Sequence, residues 1–177
     1  MNQTSAIKEL KKWANRGLFL FRKHELAKLF PNDSQKTFEE GLSRLLKAGI
    51  LKHVCRGVYL NEDALPNDGY LLEHIAKTLR AGEYNYVSLE SMLSEYGAIS
   101  QIPINHLTVM TTGRTAMYET PYGVVEFTHT KRSVLDILEN TLKVENRPLR
   151  IATKQAAWRD LKRVGRNMHL VIDEDLL

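Results

Sequence analysis

The chain has 177 residues, 43% of them apolar and 26% charged, an ordinary globular balance that excludes wholesale disorder. Its single cysteine, Cys55, excludes an internal disulfide, no Cys/His spacing points to a zinc site, and the apolar run 18–21 is far too short to span a bilayer. Lys8, Lys11 and Lys12 have no apolar segment behind them that would make a signal peptide, so the expected setting is cytoplasmic, with no membrane partner. The net charge of +4 is unevenly spread. Residues 1–61 hold twelve Lys and Arg against five Asp and Glu, a balance of +7, which leaves −3 for the remainder. A basic N-terminal third predicts an anion-binding module, although a solvated lysine-rich surface would account for the charge equally well.

Thr4 or Ser5 can cap a first helix reaching about Arg16, with Ile7, Leu10, Trp13 and Ala14 at helical spacing. Gly17 suits the left-handed residue that ends it. Residues 18–21 read as a small buried strand, and 22–30 as a short second helix stopped by Pro31. Residues 31–34 form a turn, and a third helix opens at Ser34 with Phe38, Leu42, Leu45 and Leu46 as its core stripe. Gly49 ends it. Residues 50–60 alternate around Arg56 and Gly57 as a hairpin, with Gly57 supplying the positive φ of a tight turn. Helix, strand, helix, turn, helix, hairpin is the order of a winged helix-turn-helix, whose third helix enters the major groove while the hairpin contacts the backbone or minor groove.

Residues 62–68 read as a linker. Beyond them the spacing predicts a helix over 70–80, a strand over 84–87, and a helix over 89–96 capped by Ser88. A β-rich stretch follows at 107–111, and Met117 and Tyr118 are placed to pair with 124–128. Ser133 opens a helix carrying Val134, Leu135, Ile137 and Leu138. A last helix over 153–164 precedes apolar Leu170, Val171 and Ile172 and an acidic end. The fold class is therefore α+β: an N-terminal winged helix-turn-helix over 1–62, then a mixed α/β C-terminal domain over 69–177.

Enzymatic signatures are sparse. His24 and Glu25 begin like a metalloprotease helix, but Lys28 stands where the second His ligand must be. Glu9 and Lys11 match half of a nuclease metal site, yet on an amphipathic helix rather than a strand. Acidic strand positions such as Glu126 lack an evident partner carboxylate. No catalytic residue, metal or cofactor is expected. Arg114, His129, Lys131 and Arg132 form a second basic grouping, either a phosphate or RNA contact or simply solvated strand ends. Trp13 and Trp158 read as core, and Cys55 as a packed side chain.

Residues 45–51 (LLKAGIL), 56–59 (RGVY), 86–93 (YVSLESML), Tyr96-Gly97 and 107–112 (LTVMTT) occur in an order that resembles the antitoxin family of AbiE abortive-infection, type IV toxin–antitoxin systems. The resemblance covers residues 35 to 130 and rests on combined order rather than a catalytic signature. It implies a non-enzymatic phage-defence protein whose winged helix binds and represses its own promoter, and whose C-terminal domain confers antitoxicity. The implied partner is a nucleotidyltransferase-like toxin, countered without a necessarily stable complex.

On that reading Gln35, Lys36, Thr37, Ser43, Arg44 and Lys47 of the third helix meet DNA, with Gln35 able to read adenine. Lys52, His53 and Arg56 are the expected wing contacts. A monomer, or a weak dimer pairing on DNA repeats, fits so few contacts. Two alternatives remain open: a nuclease or nucleotide-processing enzyme guided by the winged helix, and a winged-helix adaptor that docks a protein.

Overall fold

The chain, described as a computed structural model over residues 2–100, 104–173 and 176, divides into two units, Met1–Gly69 and Tyr70–Leu177. Both mix helix and strand, and the described residues form seven α-helices and two β-sheets, an α+β protein.

In the first unit, α1 (Gln3–Ala14) starts two or three residues earlier than the sequence suggests. Asn2, a stronger cap than Thr, accepts the Ser5 amide at 2.8 Å. Ala6 and Leu10 bury the inner face of α1. Trp13 packs beside that face, and its indole N–H donates to Glu9 at 2.8 Å. Strand β1 (Leu20–Arg22) leads straight into α2 (Lys23–Lys28), whose first turn is fixed by Glu25 accepting from the Arg22 amide and guanidinium, each at 2.9 Å. After the turn around Pro31 comes α3 (Gln35–Lys47), with Ser34 accepting the Thr37 amide at 3.2 Å. Phe38, Leu42 and Leu45 close the core with Phe21, Leu26, Leu51 and Tyr59.

The hairpin β2 (Lys52–Cys55) and β3 (Val58–Leu60) joins β1 in an antiparallel sheet of order β1-β3-β2. Simple alternation fails in both strands. Val58, Tyr59 and Leu60 are all buried because β3 is the central strand, and the register slips between His53 and Cys55, so Val54 and Cys55 are buried in succession. This extra residue is a β-bulge, which bends and twists the hairpin. Gly57 turns the hairpin at φ 77°. The segment expected as a linker contains a short 3-10 turn, Glu62–Ala64.

The second unit is a six-stranded sheet of order β6-β7-β5-β4-β9-β8. Its strands are β4 (Asn85–Val87), β5 (His106–Thr111), β6 (Ala116–Thr120), β7 (Gly123–His129), β8 (Thr141–Leu142) and β9 (Arg150–Ala152). The sheet is mixed: β5 runs parallel to β7 and β4 parallel to β9, while the other pairs are antiparallel. The β6–β7 hairpin pairs Met117 with Glu126 and Tyr118 with Val125. Around the sheet lie α4 (Leu71–Leu79), α5 (Leu89–Glu95), α6 (Val134–Glu139) and α7 (Lys154–Val164), with α5 and α7 packed together.

The core of this unit is Ile75, Tyr86, Leu93, Val109, Met110, Val125, Phe127 and Leu161. Gly123 opens β7 so close to the Asn105 carbonyl that an added Cβ would lie 2.4 Å from that oxygen. After α7 a 3-10 turn (Met168–Leu170) returns the chain. Val171 bridges to Ile99, and the Ser100 amide donates to the Leu170 carbonyl at 2.8 Å. Of the expected acidic end, Glu174 and Asp175 lie outside the described residues.

Candidate nucleic-acid interface

Helix α3 turns one face inward and leaves the opposite row, Lys36, Glu40, Ser43 and Lys47, exposed at spacings of four, three and four residues. Lys36, Glu40, Ser43 and Lys47 make no side-chain hydrogen bond or ion pair among the described residues. The flanks differ. Gln35 donates to Glu39 at 3.5 Å, and Lys23 donates to the same oxygen at 2.8 Å. The Lys23 hydrogen bond, then that of Gln35, holds the Glu39 carboxyl below the usual carboxylate range. Gln35, expected at the base edges, is thus engaged at the flank. The Thr37 hydroxyl sits 2.9 Å from that of Ser34 and is occupied by the helix cap. Arg44 is exposed on the same helix.

On the hairpin, Lys52, His53 and Arg56 are all exposed. Lys52 stands 4.0 Å from Glu62, a separation typical of a weak surface pair. The His53 ring lies against Tyr59, centroids 5.6 Å apart, which fixes its direction on the strand. Arg56 sits at the tip, beside Gly57, with no side-chain partner among the described residues. Cys55 is buried, and burial pushes its thiol up, away from the reactive thiolate.

The second basic grouping divides. Arg114 and His129 line one pocket of the C-terminal unit together with Arg80, Glu83, Thr112, Gly113 and Thr115. Arg80 lies over the Phe127 ring and donates to the Arg114 carbonyl at 2.9 Å, and His129 Nδ1 lies 2.7 Å from the Gly113 carbonyl. Lys131 is exposed. Arg132 instead turns inward to Asp160, at 3.3 Å, and to Asp136, at 3.5 Å. Its charge is spent inside the protein.

Sequence reasoning missed two polar clusters in this unit. Asp160, wholly buried on α7, accepts from Tyr86 at 3.0 Å, from Ser88 at 2.9 Å and from Arg132. Ser88 therefore does not cap α5 with its side chain. Burial, then the Asp160 charge, pushes the Tyr86 hydroxyl far above its ordinary value. The second cluster corrects the reading of Glu126 as partnerless. Arg166 lies between Glu126 and buried Glu90, donating to Glu90 at 2.8 Å, while His106 meets Glu126 at 2.9 Å.

Burial opposes the Glu90 charge, but hydrogen bonds from Arg166 and Asn167 outweigh it and hold that carboxyl low. A guanidinium thus bridges the two carboxylates. Leu89, between Ser88 and Glu90, adopts φ 56°, a left-handed conformation costly for a bulky residue and held by these flanking bonds. The pairing pattern Glu90–Arg166 spans 76 positions and carries no local signal.

No family model matches the chain, and a search of curated proteins gives no match either. Among the described residues no group of three or more His, Cys, Asp or Glu is placed to hold a metal ion, and no helix is long and apolar enough to cross a membrane.

Proposed function

We propose that the chain is a DNA-binding antitoxin of the AbiE type, a winged-helix regulator that binds the promoter of its own operon and represses it. The observation that carries the reading is the sequence of elements in the first unit. Helix α2, a turn and helix α3 precede an antiparallel hairpin, and Lys36, Lys47 and Arg56, without side-chain partners among the described residues, stand exposed on α3 and at the hairpin tip. That is the arrangement in which a third helix lies in the major groove and a wing reaches the backbone. The +7 balance of residues 1–61 suits a polyanion.

The resemblance over residues 35 to 130 supports the antitoxin assignment, a cytoplasmic setting and a nucleotidyltransferase-like toxin as functional partner. Pairing of copies on repeated sites would compensate for the few contacts each unit offers. Gel retardation of the duplex upstream of the protein's own gene tests the reading across a salt series. The expected result is a retarded species that outlasts random duplex and weakens steadily as salt rises. Equal or absent retardation of both duplexes at low salt overturns it.

A further inference from the structure

We infer that Glu40 of α3 reads a base edge, accepting a hydrogen bond from the exocyclic amine of a cytosine. This rests on the reading of α3 as the groove-facing helix. Glu40 occupies the middle of the exposed row, one turn from Lys36 on one side and from Ser43 on the other, with Lys47 a further turn beyond Ser43.

The other acidic residue of that stretch, Glu39, is neutralised by Lys23 and accepts a further hydrogen bond from Gln35. Glu40 has no such partner among the described residues, and Lys36 makes no ion pair with it although a helical turn separates them. An unneutralised carboxylate at the centre of a basic face repels a phosphate backbone. A helix that bound phosphates alone would be better off without it.

The charge becomes favourable in one place on duplex DNA, against the amino groups that bases present in the major groove. There a carboxylate accepts from cytosine N4. Lys36 and Lys47, on either side, suit guanine edges or the flanking phosphates. The row thus has the pattern of a reader, cation, anion, hydroxyl, cation, rather than of a uniform electrostatic surface. Glu40 also acts against wrong sequences, because a guanine or thymine edge offers it only acceptors and leaves its charge desolvated and unpaired.

Selection from a pool of randomised duplex, with the full chain and its Glu40→Ala and Glu40→Gln variants, tests this. Glu40 is exposed, so both variants are expected to keep the native circular dichroism. The wild-type chain should select a cytosine at one position of its site. Glu40→Ala should lose that preference by about tenfold while binding random duplex more tightly. Glu40→Gln should also lose the preference for cytosine.

An unchanged base preference in both variants overturns the assignment to Glu40 while leaving DNA binding intact. Wild-type binding with no sequence preference at any position overturns it too. Failure of the wild-type chain to retain any duplex overturns the DNA-binding reading itself, and this inference with it.

Discussion

Asp160 on α7 accepts a hydrogen bond from the Tyr86 hydroxyl of β4 at 3.0 Å, and neither side chain reaches solvent. The same carboxylate takes the Ser88 hydroxyl and the Arg132 guanidinium, so one side chain ties the last helix to the sheet, to the β4–α5 junction and to the loop after β7. Removing one partner of such a group leaves the others buried and unsatisfied.

Asp160→Ala is therefore expected to destabilise the C-terminal unit by about 3 to 5 kcal/mol, the range for breaking a buried charge pair. Asp160→Asn, which keeps the shape and loses the charge, should cost less. Trp158 lies on α7 and Trp13 on α1, so Trp13→Phe isolates the fluorescence of the second unit in a denaturant titration. An unshifted midpoint in Asp160→Ala would falsify the central role given to this carboxylate.

Arg147 supplies a second lock. It donates to Glu73 on α4 at 2.8 Å and to both oxygens of Glu95 on α5, at 2.8 and 2.7 Å. Burial, partly offset by Arg147, raises the Glu73 carboxyl above its ordinary value. Arg147→Ala should cost about 3 kcal/mol, and Arg147→Lys should restore only part of it because an ammonium cannot reproduce the fork. Thermal unfolding of the two variants beside wild type measures the difference; equal midpoints for all three would remove Arg147 from the stabilising set.

Acid should act through Glu90. Its folded-state value lies below the ordinary 4.5, so its contribution is complete above that value and is lost as pH falls through the lower folded value. Stability of the second unit should accordingly fall on acidification below about pH 4.5. In Arg166→Ala the Glu90 carboxylate loses its guanidinium partner, burial then favours its protonated form, and the acid loss should shrink or reverse. Denaturant midpoints at several pH values report the slope, and identical slopes in the two proteins would contradict the assignment.

Arg56→Ala should weaken retardation of the promoter duplex and flatten the dependence of log affinity on log salt by about one phosphate contact. Gly57→Ala, by contrast, changes no charge. Nothing lies within 4 Å of an added Cβ there, so only the φ of 77° is strained, at about 1 kcal/mol. Loss of affinity in Gly57→Ala with an unchanged salt slope would show the hairpin acting by geometry; an unchanged slope in Arg56→Ala would remove that residue from the proposed phosphate contacts.

The residues that talk to their neighbours along the chain were legible in the sequence. The core stripe of α3, its Ser34 cap, the turn at Arg56 and Gly57, and the β6–β7 hairpin all rest on spacings of a few residues, where helical and strand periods are visible. Strands β8 and β9, two and three residues long, carry no period and form because the sheet offers them an edge. The bulge at Val54, the parallel pairing of β5 with β7, and the inward turn of Arg132 were equally hidden.

Which charges stay outside was decided by tertiary structure alone. By itself the sequence determined the α+β class and where positive charge accumulates, because composition and periodicity are local sums. Only the folded chain decided that Arg132 and Arg166 serve buried carboxylates, that Glu39 is neutralised, and that Glu40 is left bare between two lysines. A buried charge must find its counter-charge wherever packing brings one, and that partner can lie at any distance along the chain.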